Sequence, residues 1–172
     1  MFQFEAIHPF SDGNGRKGRI LNVLYLIQQK LLGLPVLYLS HYIIQNKADY
    51  YRLLKSITEE NNWEEWILFV VNGISETSKM TLQKINSILE LKVETEVRVK
   101  EILKSSYSKE LVDLLFSHPH IKIKVLEENN IAKRQTASEY LKKLEAGKLL
   151  SSVKIGNEIY YINNSLIGVL SK

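Results

Sequence analysis

The residues best suited to chemistry lie in one stretch near the start of the 172-residue chain, from His8 to Arg19. It reads His-Pro-Phe-Ser-Asp-Gly-Asn-Gly-Arg-Lys-Gly-Arg. Two glycines flank Asn14, and glycine tolerates left-handed backbone angles and the close approach of a ligand. Successive N–H groups in such a turn form a concave nest for anions. The stretch therefore predicts a loop that binds phosphate groups.

The residues around this loop predict more than phosphate binding. An apolar run follows from Ile20, so we expect a helix from about Arg16, whose first N–H groups add partial positive charge beside the loop. Arg16 and Arg19 lie three residues apart on one helix face, where both guanidinium groups can reach one polyphosphate. Asp12 suggests a divalent cation, because Mg²⁺ binds one or two carboxylates together with phosphate oxygens. His8 titrates near neutral pH and is placed to accept a proton from an attacking hydroxyl.

Each of these residues also has an ordinary structural interpretation. A histidine before a proline is more often a packed or capping residue, and a Gly-Asn-Gly triplet alone is usually a turn. Two arginines near a helix start are usually solvated. The chemical interpretation depends on the occurrence of all these residue types together, in this order, in one short stretch.

At every defined position the stretch resembles the His-Pro-Phe-x-Asp/Glu-Gly-Asn-Gly-Arg-x-x-Arg signature of the Fic family. Most members of that family transfer AMP from ATP to a protein hydroxyl. The resemblance implies that His8 is the general base towards a Ser, Thr or Tyr hydroxyl of a target protein, and that Asp12 is the Mg²⁺ ligand. The residues that it implies for binding the phosphates of ATP are Gly13, Asn14, Gly15, Arg16 and Arg19.

The family resemblance leaves several points open. Some relatives transfer other nucleotides or phosphocholine, and the signature favours AMP without deciding it. In related proteins the second arginine, here Arg19, is also the partner of an inhibitory glutamate. The resemblance continues into the Tyr50-Tyr51 pair, one of which would help to seat the nucleotide base.

Few residues precede His8, whereas Fic proteins carry several helices and a β-hairpin flap before this point. We therefore expect the chain to be the C-terminal part of a longer protein, with weak or no activity of its own. Segment 20–32 is predicted to be a helix that Gly33 ends, with no obvious solvent face. We expect its apolar surface to be covered by a missing N-terminal portion or by a second copy of the chain.

Composition limits the other classes of function. A chain of 172 residues is long enough for one medium domain or two small ones, and a hydrophobic content of 45% is ordinary for a globular protein. It has no cysteine, so neither a disulfide nor a thiolate metal site is possible. No apolar run approaches membrane-spanning length and no secretory leader pattern is present, so we expect a cytoplasmic protein with no membrane contact. Lys and Arg balance Asp and Glu over residues 1–118, at 14 each, but number 9 against 5 over residues 119–172.

Patterning predicts a mainly α fold with three segments, over 1–78, 79–104 and 105–172. The resemblance implies that the first is an incomplete Fic helical domain. The second is predicted to be a helical linker, and the elements of the third are those of a winged helix-turn-helix. In the last segment, two alternating strands over 150–155 and 158–162 flank a Gly-Asn turn and predict a small β-hairpin.

Segment 133–144 resembles the recognition helix of winged helix-turn-helix domains. Its polar types contact phosphates and base edges in other proteins, which makes DNA a candidate partner. The candidate contacts are Arg134, Gln135, Ser138 and Lys142, with Lys154 in the hairpin. Such modules also serve in protein docking and dimerisation. The alternative to an enzyme is therefore a DNA-binding or protein-interaction regulator that carries a non-catalytic Fic remnant.

Overall fold

The structure is a computed structural model that describes residues 2–171, and it divides into two compact units, one up to Gln83 and one from Lys84. The described residues form nine α-helices, one short 3-10 helix and a three-stranded antiparallel sheet. The mainly α fold with a small β-hairpin is therefore confirmed. The predicted division into segments 1–78, 79–104 and 105–172 stays a prediction.

The first unit is helical throughout. Its elements are α1 (Phe2–Ile7), α2 (Asn14–Gln28), α3 (Leu39–Gln45), α4 (Lys47–Glu60) and the first part of α5 (Trp63–Leu103). Its core forms where α4 presents Tyr50, Leu53 and Ile57 at helical spacing to the aromatic rings of Trp66 and Phe69 on α5. Those two rings stack with their centroids 6.2 Å apart. Burial of this apolar face is what stabilises α4.

Helix α2 differs at both ends from the prediction. It begins at Asn14, two residues earlier than expected, and it ends at Gln28, so the predicted helix over 20–32 is wrong at its C-terminal end. Backbone capping ends it: the Lys30 N–H donates to the Ile27 carbonyl, and the following N–H reaches one residue further back, both at 2.9 Å. Lys30 takes the left-handed φ of +58° that this cap requires, and the chain is therefore out of the helix before it reaches Gly33.

The surface of α2 is as apolar as the sequence predicted. Exposed fractions are 59% for Ile20, 52% for Leu24 and 60% for Tyr25. Contiguous apolar surface of this kind is typical of an interaction site. Its cover, by a second copy or by an N-terminal portion, stays a prediction.

The second unit begins within α5 and contains the predicted sheet. Its further elements are α6 (Lys109–Ser117), β1 (His120–Ile121), α7 (Ile123–Glu128), α8 (Arg134–Ala146), β2 (Ser151–Ile155), β3 (Glu158–Ile162) and α9 (Asn164–Leu170). The strand order is β1-β3-β2, and β2 pairs with β3 from Ser151 opposite Ile162 to Ile155 opposite Glu158. Gly156 permits the tight turn because its φ is +60°. The predicted hairpin is thus confirmed.

Side chains from α6 and α8 build the core of this unit. Leu111 on α6 and Leu141 and Leu144 on α8 have no exposed surface, and Tyr161 on β3 is 2% exposed. Because α8 buries one face in this core, its opposite face is exposed to solvent. Among the helices described, none has the length and apolarity needed to cross a membrane.

Gly73, in the middle of α5, provides a test of packing in the first unit. A Cβ there would lie 2.6 Å from Cδ1 of Tyr42 and 3.1 Å from Cδ1 of Leu39. Gly73→Ala should therefore lower the free energy of unfolding of this unit by about 1 to 3 kcal/mol, although alanine favours helices. Tryptophan fluorescence during urea unfolding measures it, because both tryptophans of the chain, Trp63 and Trp66, lie in this unit.

Gly168 on α9 is the matched control for this substitution. A Cβ there would meet nothing within 4 Å, so Gly168→Ala should raise the free energy of unfolding of the second unit by about 0.5 to 1 kcal/mol, because alanine favours helices more than glycine does. If Gly73→Ala stabilises the protein in the same way, the close packing of α3 against α5 is wrong.

Candidate active site

His8 ends helix α1 in a conformation that usually belongs to glycine. Its φ is +49°, and its N–H donates to the Phe4 carbonyl at 3.2 Å, the hydrogen bond of a left-handed helix cap. A left-handed residue with a side chain costs about 1 to 2 kcal/mol. The side chain of His8 is exposed. Strain of this kind persists where the surrounding structure determines the position of a residue, and it is often found at functional sites.

The amide of Asn14 holds the loop closed. Its Oδ1 accepts from the Phe10 N–H at 3.0 Å, and its Nδ2 donates to the Phe10 carbonyl at 2.6 Å. Asn14 is only 3% exposed, so both bonds are protected from water. The side chain that the resemblance assigned to phosphate is thus used to shape the loop, and the backbone N–H of Asn14 is the group left for a ligand.

Asp12, Gly13 and Arg16 form the exposed rim of the loop. Gly13, at φ +77°, is the N-cap of α2, and its N–H donates to Oδ1 of Asp12 at 2.6 Å. Nη2 of Arg16 lies 3.4 Å from Oδ2 of Asp12, with both side chains largely exposed. The first bond within the helix runs from the Lys17 N–H to the Gly13 carbonyl. Helix geometry therefore leaves the N–H groups of residues 14–16 without an acceptor inside the helix, beside a guanidinium group.

Arg19 is held behind this rim. Its Nε donates to Oγ of Ser40 on α3 at 2.9 Å, and its Nη1 lies 3.3 Å from the place of a Cβ on Gly15. The guanidinium is thus folded back along α2 towards the loop, and a side chain at Gly15 would crowd it. That Arg16 and Arg19 bind one polyphosphate stays a prediction.

Glu5 and Tyr50 form a pair that the sequence did not predict. The Tyr50 hydroxyl lies 2.6 Å from Oε1 and 2.7 Å from Oε2 of the Glu5 carboxylate. Burial raises the pKa of Tyr50 well above its usual range, and its hydrogen bond to Glu5 raises this pKa further, while the positive charge of Arg19 lowers it. Tyr50 therefore stays a hydrogen-bond donor, and with 3% exposure it is not available to stack on a base, unlike Tyr51, which is 57% exposed.

Three residues that position the loop were missed by sequence reasoning. Glu5 was detectable only as a lone charge beside apolar residues, and Ser40 carried no signal at all. Lys17 occupies an undefined position of the signature, yet its Nζ lies 3.4 Å from the ring centroid of Phe10 and 3.5 Å from the Asp12 carbonyl oxygen. It covers the loop through a cation–π contact.

The loop fits Mg²⁺ only if a bound nucleotide and water supply most of the ligands. Among residues 2–171 no three His, Asp or Glu side chains are grouped as a metal site. Asp12 is one carboxylate, its side chain is 90% exposed, and it lies beside the loop amides. One carboxylate with phosphate oxygens and water is a common Mg²⁺ environment.

The predicted nucleic-acid contacts lie in the second unit. Arg134, Gln135 and Lys142 on α8 are exposed, and so is Lys154 on β2, while Ser138 is half-buried. Their role stays a prediction.

The Glu5–Tyr50 pair predicts a pH-dependent stability. Tyr50→Phe should lower the free energy of unfolding by about 1 to 3 kcal/mol near neutral pH, because it removes a hydrogen bond to a carboxylate. Above about pH 10, the ordinary tyrosine pKa, the unfolded wild-type chain ionises at this residue while the folded chain does not, so the wild type loses stability and the difference narrows.

Urea unfolding monitored by tryptophan fluorescence at about pH 8 and about pH 11 measures this difference. Tyr51→Phe, at the exposed neighbour, is the control and should change little at either pH. A Tyr50→Phe difference that stays constant or widens at the higher pH would contradict the raised pKa.

Comparisons with known proteins match two parts of the chain. Residues 1–26, which hold the loop, match the Fic/DOC family, and residues 91–166 match the family described as "Protein adenylyltransferase SoFic-like, C-terminal domain". The chain is 33% identical over 87 residues to "Probable protein adenylyltransferase" of Aquifex aeolicus. That region is 51% of this chain and 23% of the relative, so the chain spans well under two thirds of that protein. With its loop and its C-terminal part both matched, the chain belongs to the Fic family.

Proposed function

We propose that the protein is a Fic-type adenylyltransferase, which transfers AMP from ATP to a Ser, Thr or Tyr hydroxyl of a target protein. The observation that carries the proposal is the start of α2, where three backbone N–H groups face no helical acceptor beside the exposed Asp12 and Arg16. A site of this kind binds phosphate and a magnesium ion together. The name of the relative from Aquifex aeolicus gives independent support.

The residues of the loop have separate roles in this reaction. His8 accepts the proton of the target hydroxyl, whose oxygen attacks the α-phosphorus of ATP as the bond to pyrophosphate breaks. Arg16, Arg19 and the backbone N–H groups stabilise the charge on the phosphates. Asp12 would hold Mg²⁺, which neutralises charge on the phosphate oxygens when it is bound. A tightly shaped loop favours this mechanism, because positioning supplies much of the rate in phosphoryl and nucleotidyl transfer.

ATP labelled on the α-phosphate tests the proposal, with ATP labelled on the γ-phosphate as the matched donor. With a cell extract as the source of targets, we expect the protein to add label above that of the extract alone from the first donor only, because kinases of the extract use the second donor without it. His8→Ala should lower the labelling at least about 100-fold, because it removes the base. Its affinity for MgATP, measured by calorimetry, should stay within about twofold, because the proposed role of His8 is towards the hydroxyl.

The control for this experiment is His41→Ala. His41 lies on α3, and its ring contacts Tyr38, so it should not change the labelling. The same comparison should be made in a longer protein with an added Fic N-terminal portion, because weak labelling is expected of the 172-residue chain. Added labelling that survives His8→Ala would overturn the role of the base, and γ-phosphate label above that of the extract alone would overturn AMP transfer.

The second unit supports a second candidate function, binding of duplex DNA. Of the cations at residues 119–171, Lys122 and Lys124 are in ion pairs, at 2.6 and 3.3 Å from carboxylates. The others are in no ion pair within the described residues. They are Lys133, Arg134, Lys142, Lys143, Lys148 and Lys154. They lie on α8, beside its ends or on the hairpin, so unneutralised positive charge is concentrated in one part of this unit.

The hairpin extends the polar side of α8. Ser152 on β2 donates to Oε1 of Glu145 on α8 at 2.6 Å. Lys154 lies two residues further along the same strand and so projects from the same face of the sheet. Glu139 lies on the exposed side of α8 and reduces its charge. Arg134, Lys142 and Lys154 remain as candidate phosphate contacts for a duplex.

The salt dependence of duplex binding tests this candidate. Arg134→Gln with Lys142→Gln should lower the slope of log affinity against log salt concentration by about one for each phosphate that the protein no longer neutralises. Lys124→Gln is the matched control, because Glu128 already neutralises that lysine. If the wild type and the double variant have the same slope, that result would contradict DNA binding through α8 and favour a protein-docking role for this unit.

A further inference from the structure

Two opposite charges converge on the first turns of α2 without forming an ion pair. A Cβ on Gly15 would lie 3.3 Å from Nη1 of Arg19 and 3.9 Å from Oε1 of Glu5, and one on Gly18 would lie 3.3 Å from the same carboxylate oxygen. Yet among the described residues no carboxylate oxygen of Glu5 lies within 4 Å of a guanidinium nitrogen of Arg19, so the two side chains form no ion pair. A carboxylate this near an arginine would ordinarily pair with it, because the site is only partly exposed to water.

Separate partners keep these charges apart. Both oxygens of Glu5 face the Tyr50 hydroxyl, at 2.6 and 2.7 Å. Nε of Arg19 donates to Ser40 at 2.9 Å. That bond uses one of the three guanidinium nitrogens, so Nη1 and Nη2 are not committed to Ser40. These two nitrogens form the fork that binds phosphate oxygens in other proteins.

Tyr50 is itself held rigidly. It is 3% exposed, and its ring centroid lies 5.2 Å from that of Trp66 and 6.3 Å from that of Phe69. A ring packed in this way cannot follow a moving carboxylate, so its hydroxyl marks a fixed position. Glu5, at the other end of the hydrogen bonds, lies on the short helix α1, which ends at the strained His8.

We propose that Tyr50 is a positioning residue that holds the Glu5 carboxylate away from Arg19 and thereby keeps the Arg19 guanidinium available to nucleotide phosphates. The proposal rests on the proposed nucleotide-binding function of the loop. Without the hydroxyl of Tyr50, Glu5 becomes a half-buried carboxylate that has lost its donor, and the Arg19 guanidinium lies nearby across Gly15. The new ion pair then competes with the phosphates of ATP for the same guanidinium.

Affinity for MgATP, measured by calorimetry, tests the proposal in the 172-residue protein. Tyr50→Phe should weaken binding about twofold to fivefold, which is the range that an ion pair of partial exposure supports. Tyr50→Phe combined with Glu5→Gln should restore wild-type affinity, because glutamine keeps the shape of glutamate without its charge. Tyr25→Phe, at an exposed tyrosine of α2 with no proposed role in nucleotide binding, is the control and should have no effect.

A merely structural role of Tyr50 gives a different result. In that case Glu5→Gln removes a second member of the same cluster, so the double variant binds as weakly as Tyr50→Phe or more weakly. Failure of Glu5→Gln to restore affinity would overturn the proposal.

The rate at which phenylglyoxal modifies Arg19, mapped by mass spectrometry with no nucleotide present, is the second measurement. Arg134, in the other unit and in no ion pair of the described residues, is the internal reference. Relative to Arg134, the rate at Arg19 should fall at least about twofold in Tyr50→Phe and return in the double variant. If the wild type binds no MgATP, the proposed function fails, whereas this rate still decides the role of Tyr50.

Glu5→Gln alone tests the proposal in a protein that keeps Tyr50, in case Tyr50→Phe does not fold. Because Tyr50 already holds Glu5 off Arg19, the single variant should leave the modification rate of Arg19 unchanged. A faster rate at Arg19 in Glu5→Gln would show that Glu5 pairs with Arg19 in the wild type, and would overturn the proposal.

Discussion

The arrangement of the loop depends on one exchange of hydrogen bonds, between the buried amide of Asn14 and the backbone of Phe10. It ties the residue before the turn to the first residue of α2. A buried, fully satisfied pair of this kind is short-range and rigid. Once it is formed, Gly13 must take a left-handed φ, and α2 must begin at Asn14. The N–H groups that face no helical acceptor and the exposed rim of Asp12 and Arg16 follow from that starting point.

A second layer of contacts supports the loop from behind. Glu5 on α1, Arg19 on α2, Ser40 on α3 and Tyr50 on α4 bring the four helices to one polar cluster. The cluster lies beside Gly15 and Gly18, where a Cβ would come within 3.3 Å of Arg19 or Glu5 and crowd it. The two glycines of the signature therefore have different roles, the turn at Gly13 and close packing at Gly15, and Gly18, at an undefined position of the signature, packs closely as well. A binding site is more precise when supporting contacts of this kind fix the side chains that touch the ligand.

The two units of the chain are stabilised in the same way but differ in chemical character. The first places aromatic rings of α4 and α5 in its core and exposes apolar side chains of α2. The second buries aliphatic side chains of α6 and α8 and exposes cations that no carboxylate neutralises among the described residues. An apolar exposed face favours protein contact, whereas unneutralised positive charge favours a polyanion. The chain therefore combines the candidate phosphate loop with two surfaces of different chemical character.

The sequence alone was sufficient for the residue types of the loop, the mainly α fold and the hairpin over Gly156, because these depend on local periodicity and on backbone angles that few residues allow. It was misleading about the end of α2, where backbone capping by Lys30 acts before any sequence signal for a stop. Only the tertiary structure decided the partners of Asn14, Glu5, Arg19 and Tyr50. Tyr50 is 45 residues from Glu5, and nothing in the local pattern of either residue specifies that the other lies within hydrogen-bonding distance.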